Sequence, residues 1–200
     1  MTTNIEVLLF DGFDELDGVG PYEVFDGGRR HGADLTVSTV TLEPAETVTA
    51  SHGLTIVPDG VLGQPDLLVV PGGGWSSADG GVRAVVENGR IPTAVAERHQ
   101  SGSALASVCT GAMILAEGGV LDGRPATTHR VAHDDLAAVT NRIDARVVDD
   151  GDVLTAAGVT SGLDLALWVV ERDFGSEVAN EVARELEYDR LADVYRTESG

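Results

Sequence analysis

One cysteine occurs in the chain, Cys109, within the run Ala104-Leu-Ala-Ser-Val-Cys109-Thr-Gly-Ala-Met-Ile-Leu-Ala116. A thiol is the side chain best suited to nucleophilic attack near neutral pH, provided something helps it ionise. Apolar residues before Cys109 read as a buried strand, small residues surround it, and a helical pattern follows. A sharp strand-to-helix turn at that point pushes one side chain out above a sheet. It also aims the free N–H groups of the next helix at whatever that side chain holds. The positive end of the helix dipole favours a thiolate, so the sequence predicts a lowered thiol pKa. The competing reading is a small buried hydrophobe, the commoner fate of a lone intracellular cysteine.

Two further groups fall where an open α/β sheet binds ligands, beyond the carboxyl ends of its strands. Asp17 follows the first apolar run, and Gly72, Gly73 and Gly74 follow a central one. The backbone N–H groups of Gly73 and Thr110 are predicted to form an oxyanion hole beside the Cys109 sulfur. Asp17, if partly buried near that sulfur, would have a raised pKa and could shuttle protons. Each group also has a plainer reading: Asp17 as a helix cap, the glycines as a tight turn. A phosphate loop is not expected, because no Gly-Lys-Ser/Thr follows the glycines. His129 and His133 stand four apart, as zinc ligands on a helix can. No Glu follows in the metalloprotease pattern and no third ligand is evident, so no metal is expected. Trp75 and Trp168 read as packing residues, with Trp75 placed after the glycines to line a pocket.

The elements that must position these groups alternate. Ile5–Phe10 reads as a first strand ended by Asp11-Gly12, and Asp17–Arg30 as a helix broken at Gly27-Gly28. Leu35–Val40 is β-rich, and Thr47–Val57 suggests a hairpin around Ser51-His52-Gly53. Asp66–Val70 is a second buried strand. Helices follow near Gly80–Asn88 and Pro92–Gln100, then the strand into Cys109. Ala126–His129 reads as a brief strand and Val131–Val139 as a helix. Ala145–Thr155 reads as a hairpin with Asp150-Gly151 at its tip. Ser161 caps an apolar helix through Val170, and Glu177–Leu191 is a final amphipathic helix. The alternation predicts an α/β fold, a three-layer sandwich with a mostly parallel central sheet. No repeat, linker or low-complexity tract interrupts residues 1–200, which are expected to form a single domain.

Composition narrows the function classes. Among 200 residues, 33 are acidic and 13 basic, for a net charge of −20, and every basic residue is an arginine. Such a surface repels nucleic-acid phosphates and anionic membranes, so neither is expected as a partner. One cysteine excludes an internal disulfide framework, the N-terminus lacks a signal-peptide pattern, and the apolar runs are short. A cytoplasmic location is therefore expected. The carboxylate surplus with lysine removed fits an acidic, halophilic proteome; arginine-favouring codon bias is the alternative.

The motifs together are recognisable. Leu16-Asp17-Gly-Val-Gly-Pro-Tyr-Glu-Val-Phe25, Val70-Pro-Gly-Gly-Gly74, Ser107-Val-Cys-Thr-Gly-Ala112, Leu121-Asp-Gly-Arg-Pro-Ala-Thr-Thr-His129 and Gly158-Val-Thr-Ser-Gly-Leu-Asp-Leu-Ala-Leu167 span nearly the whole chain. With them the chain resembles the ThiJ/PfpI superfamily, relatives of class I glutamine amidotransferases. Within it, the chain looks most similar to isonitrile hydratases and to the sensor domains of AraC-type regulators. The resemblance implies a flavodoxin-like sheet with a cysteine nucleophile elbow, a small-molecule substrate and a homodimer. It also implies a cofactor-free lyase adding water to an isonitrile to give an N-substituted formamide. Cys109 would be the nucleophile, Asp17 its acidic partner and Thr110 a nearby hydroxyl. His129 stands where many members hold a histidine close to the cysteine, and Gly72 and Gly74 would support the site. Gly18-Val19 and Arg130 depart from the bulkier residues of the hydratases, which puts the substrate pocket in question. The alternatives are a glyoxalase or deglycase acting on methylglyoxal, and a non-catalytic redox or ligand sensor.

The net charge makes the halophile reading testable. The screening length falls from roughly 10 Å at 0.1 M salt to about 3 Å at 1 M, which relieves self-repulsion. The unfolding temperature is expected to rise substantially between dilute buffer and molar KCl. A flat or falling curve leaves codon bias as the explanation of the composition.

Overall fold

Strand pairing in the computed structural model, which describes residues 1–76, 80–191 and 193–197, begins with the two most apolar early runs. β1 (Thr3–Leu8) buries Ile5, Val7 and Leu8 completely, and pairs in parallel with β2 (Leu35–Thr41) in the register Ile5↔Val37. Short strands β3 (Val48–Thr49) and β4 (Thr55–Ile56) form the expected hairpin. β5 (Gly60–Val61) then adds to the outer edge of β2. β6 (Leu67–Val70) is buried at every residue, as a central parallel strand must be when helices cover both faces. Helices α2 (Gly81–Asn88) and α3 (Arg90–Gln100) lead to β7 (Ala104–Val108), which ends directly at Cys109. α4 (Gly111–Glu117) follows the turn. β8 (Pro125–Ala126) pairs in parallel with β9 (Asn141–Arg142), with a 3-10 turn at Arg130–Ala132 and α5 (His133–Ala137) between them. β10 (Val147–Asp149) and β11 (Val153–Ala156) make the antiparallel hairpin. The chain closes with α6 (Ser161–Phe174), α7 (Ser176–Glu185) and β12 (Val194–Arg196).

The main sheet has eight strands in the order β12-β10-β11-β7-β6-β1-β2-β5, parallel except between β10 and β11. α1 (Glu15–Arg30), α6 and α7 pack together on one face, and α2, α3 and α4 on the other. This is the three-layer α/β sandwich expected from the alternation. Its middle strands β1, β6 and β7 end at one edge of the sheet, and that edge carries the residues of interest. Among the described residues, no helix is long and apolar enough to cross a membrane.

Three local expectations are corrected. The first helix does not break at Gly27-Gly28 but runs to Arg30. A β-carbon at Gly27 would stand 3.1 Å from Val182, and one at Gly28 would stand 3.4 Å from Val170, so the glycines let α1 nest against α7 and α6. The last helix stops at Glu185 rather than Leu191. Buried Asp164 takes the following segment instead, accepting from the Tyr188 hydroxyl and the Leu191 N–H, and this carries the chain into β12. The stretch after His129 is a 3-10 turn plus a short helix rather than one helix.

The tightest crossing lies at the start of α4. A β-carbon on Gly111 would stand 2.3 Å from the Val70 carbonyl oxygen and 2.8 Å from that of Pro71. Gly111→Ala is therefore expected to destabilise the fold by about 2–3 kcal/mol, the cost of overpacking against rigid backbone. Gly60→Ala, where nothing lies within 4 Å, should change stability by less than about 0.5 kcal/mol. Urea unfolding of both variants checks the contrast; equal effects would mean the crossing has room to spare.

Candidate active site

Cys109 is the first residue after β7 and has φ 57°, in the left-handed region that L side chains avoid. Such a conformation costs about 1–3 kcal/mol and persists only where its surroundings impose it. Here both sides of the residue are held. Its N–H donates to the carbonyls of Ala156 at 3.1 Å, the last residue of β11, and of Ala157 at 3.0 Å, just beyond it. Its carbonyl accepts the Thr128 hydroxyl at 2.8 Å. The turn leaves the thiol buried at 6% exposure, with the Thr110 N–H directed at the sulfur.

Asp17 comes from the opposite side of the crossing. α1 is capped by Asp14, which accepts the Leu16 N–H at 3.2 Å, and not by Asp17 as the plainer sequence reading allowed. Within the first turn of the helix, Asp17 is wholly buried. Its Oδ2 accepts the Gly72 N–H at 3.1 Å, while its Oδ1 is buried with no partner among the described residues. The carboxyl couples to the Cys109 thiol. Burial above all, and then the charge of Asp14, push the Asp17 pKa up to about 8, against the bonds from Cys109 and Gly72. At neutral pH this carboxyl holds its proton.

The same burial corrects the expectation of an acidic thiol. Burial first, then the charge of Asp17, push the Cys109 pKa up, and the Thr110 N–H opposes them. α4 has only seven residues, so its dipole does not outweigh the loss of solvent. Thiol and carboxyl titrate as a pair. While Asp17 keeps its proton, the charge that resists sulfur ionisation is absent.

The glycine loop meets this pair, but not as the sequence implied at every residue. A β-carbon on Gly72 would stand 2.7 Å from both Asp17 Oδ2 and the Thr110 nitrogen, so only glycine lets the loop reach them. The Gly73 N–H, expected in an oxyanion hole, donates instead to Thr110 Oγ1 at 3.0 Å. That hydroxyl donates back to the Gly73 carbonyl at 2.7 Å. Thr110 Oγ1 thus ties the loop to the elbow, and of the two expected donors only the Thr110 N–H faces the sulfur. Gly74 is exposed, and its carbonyl accepts the Arg83 N–H at 3.0 Å. Trp75 is buried, with its indole N–H on Asp135 at 2.7 Å and the Arg83 guanidinium 3.8 Å over its ring. It braces the loop against α5.

His129 is half-buried. Its Nδ1 accepts the Val131 N–H at 3.2 Å, which leaves the proton of the neutral ring on Nε2. Burial, then the charges of Arg130 and His133, hold its pKa below the usual histidine range. His133 bonds to the Thr128 carbonyl at 3.2 Å. Among the described residues the group close enough to share a metal ion is Asp14, Glu15 and His52, away from both histidines considered in the sequence. There Glu15 already accepts from the His52 N–H and ring at 2.7 Å each, and braces the β3–β4 turn. Two contributors escaped the sequence reading. Asp14 carried a legible signal, an Asp ahead of an acidic first helical turn. Thr128 carried none, because its partner lies 19 residues away.

The protonated carboxyl has a signature in stability. An unfolded Asp ionises near pH 4, whereas Asp17 keeps its proton to about pH 8 in the folded chain. Between those values the folded state binds more protons, so this residue makes stability fall as pH rises from about 4 to about 8. Asp17→Asn is expected to lose that slope and to exceed wild type in stability near pH 8. Urea midpoints of both proteins across this range check it; parallel curves would mean that Asp17 is ionised.

Comparison with known proteins places this geometry. Residues 3–172 match the model of the DJ-1/PfpI family. The chain is 32% identical over 192 residues to the isonitrile hydratase of Pseudomonas putida, covering 94% of this chain and 79% of that one. It is 29% identical to protein dj-1beta of Drosophila melanogaster, covering 93% and 97%. Among solved structures, Drosophila DJ-1beta superposes with a TM-score of 0.80 at 27% identity, covering 94% of this chain and all of that one. A ThiJ/PfpI family protein from Pseudomonas syringae gives 0.83 at 30%, covering 96% and 77%. With the family model spanning most of the chain and a buried cysteine at the end of β7, this protein belongs to the DJ-1/PfpI family.

Proposed function

We propose that the protein is a cysteine-dependent, cofactor-free lyase that hydrates an isonitrile to an N-substituted formamide. The observation that carries the reading is the buried Asp17 carboxyl, protonated at neutral pH and coupled to the elbow thiol of Cys109. An isonitrile carbon is attacked by a nucleophile and must also receive a proton, and this pair holds both. The Cys109 sulfur forms the S–C bond while Asp17 delivers a proton to the same carbon, giving a thioimidate; the thiol proton restores the carboxyl. Water then adds to that carbon and protonates the nitrogen, the S–C bond breaks, and the thiol and formamide are released. The Thr110 N–H stabilises charge on the sulfur throughout. The similarity to the P. putida hydratase supports this substrate class, although DJ-1 homologues match at comparable identity.

A second copy of the chain is the proposed partner. What supports it is a hollow lined by exposed or half-buried apolar residues, Val19 and Tyr22 of α1 with Ile56 of β4 and Val57 after it. Location in the cytoplasm accords with an unpaired thiol.

Formamide production by wild type and three variants, assayed at high salt, tests the reading. Cys109→Ser is expected to abolish turnover. Asp17→Asn should cost about 10² to 10⁴ in rate, the usual worth of general acid–base help. Thr110→Val should cost less than either, because its backbone N–H remains while the tie to Gly73 is lost. Full activity in Asp17→Asn would remove the proton-transfer role. An inactive wild type that yields lactate from methylglyoxal would move the assignment to a glyoxalase, and inactivity on both would favour a sensor.

A further inference from the structure

We propose that Thr128 is a positioning residue for Cys109, acting through the hydrogen bond from its hydroxyl to the Cys109 carbonyl. The inference rests on reading Cys109 as the nucleophile. Among the described residues only Cys109 and Glu187 are non-glycine residues with positive φ, so the elbow is held against a standing tendency to relax. The two bonds that the Cys109 N–H donates, to the carbonyls of Ala156 and Ala157, fix the peptide that precedes the residue. The peptide that follows it, between Cys109 and Thr110, turns about ψ of Cys109 and is held at its carbonyl by Thr128, while Thr110 beyond it is tied to Gly73 through its hydroxyl.

That peptide is the one that matters. It is planar and trans, so its C=O and N–H point in opposite directions and turn together. Holding the Cys109 carbonyl toward Thr128 holds the Thr110 N–H toward the sulfur. The bond measures 2.8 Å, and Thr128 is wholly buried, where no water replaces a lost donor. The donor itself stands on a fixed base. The Thr128 carbonyl accepts His133 Nε2 at 3.2 Å, and the N–H of neighbouring Thr127 donates to Thr155 Oγ1 at 2.9 Å. Thr128 touches neither sulfur nor substrate in this role; it decides where the Thr110 N–H points.

Thr127 supplies the control, being an adjacent and equally buried threonine whose hydroxyl serves a backbone carbonyl away from the elbow. The experiment is the rate of Cys109 alkylation by iodoacetamide in the folded protein, followed against pH. Thr128→Val is expected to slow alkylation by about tenfold, the worth of one buried hydrogen bond, and to move the midpoint of its pH profile upward. Thr128→Ser should restore both rate and midpoint, and Thr127→Val should match wild type in both. Should Thr128→Val fail to fold, Thr128→Ala read against Thr127→Ala carries the same expectation. A wild-type rate and midpoint in Thr128→Val would overturn the proposal while leaving the nucleophile reading intact. So would an equal loss in Thr127→Val, which would show a merely structural effect. A wild-type thiol that reacts only after unfolding would overturn both.

Discussion

The structure depends on one crossing, where the loop after β6, the elbow after β7 and the first turns of α1 come closer than side chains permit. Gly111 and Gly72 are the residues that make it passable. A methyl group on Gly111 would collide with the carbonyls of Val70 and Pro71, and one on Gly72 with Asp17 and the Thr110 nitrogen. Because the backbones touch, their polar groups must satisfy one another. Gly72 therefore donates to Asp17, Gly73 to Thr110, and Asp14 to the Gly72 carbonyl. Three segments far apart in sequence are locked together by hydrogen bonds that water cannot supply there.

That closeness sets the chemistry as well as the packing. Expelling water from around Asp17 raises its pKa until the carboxyl keeps its proton at neutrality, and the same burial disfavours a thiolate at Cys109. An exposed pair would behave differently: the carboxylate would ionise and the thiol would keep a pKa near its free value. The crossing thus turns an ordinary acid and an ordinary thiol into a coupled pair. Among the described residues, the Thr110 N–H is the backbone donor that favours negative charge on the sulfur, and it points there because its peptide is held from the other end.

The wider family keeps such a fold while its named members differ, an isonitrile hydratase and DJ-1 proteins among them. A shared elbow does not choose the substrate; the walls around it do. In this chain the Trp75–Asp135 bond braces the glycine loop against α5, and His129 caps the 3-10 turn through the Val131 N–H. Gly18 also belongs to this description. A β-carbon there would stand 2.9 Å from the Phe13 ring, so the small residue reflects packing within α1 and its approach, whatever it does for the pocket.

Much of this was legible in the sequence, because it rests on local pattern. Apolar runs gave β1, β6 and β7, alternation gave the layers, and the Asp150-Gly151 tip marked the antiparallel hairpin. Residue type and position after a strand were enough to single out Cys109, Asp17 and Gly72. Where the reading failed, a partner distant in sequence had overruled the local signal. Gly27-Gly28 looks like a helix breaker until Val170 and Val182 are seen packed on it. Residues 186–191 look helical until Asp164 takes the Tyr188 hydroxyl and the Leu191 N–H. Gly73 looks like a free amide until the Thr110 hydroxyl occupies it. Electrostatics are the extreme case, since the helix-dipole argument for an acidic thiol needs only local sequence. Desolvation of Cys109 and Asp17 depends on every segment packed around them, and it was the larger effect. The sequence determined which residues could react; the tertiary structure decided which protons they hold, because that depends on the water removed.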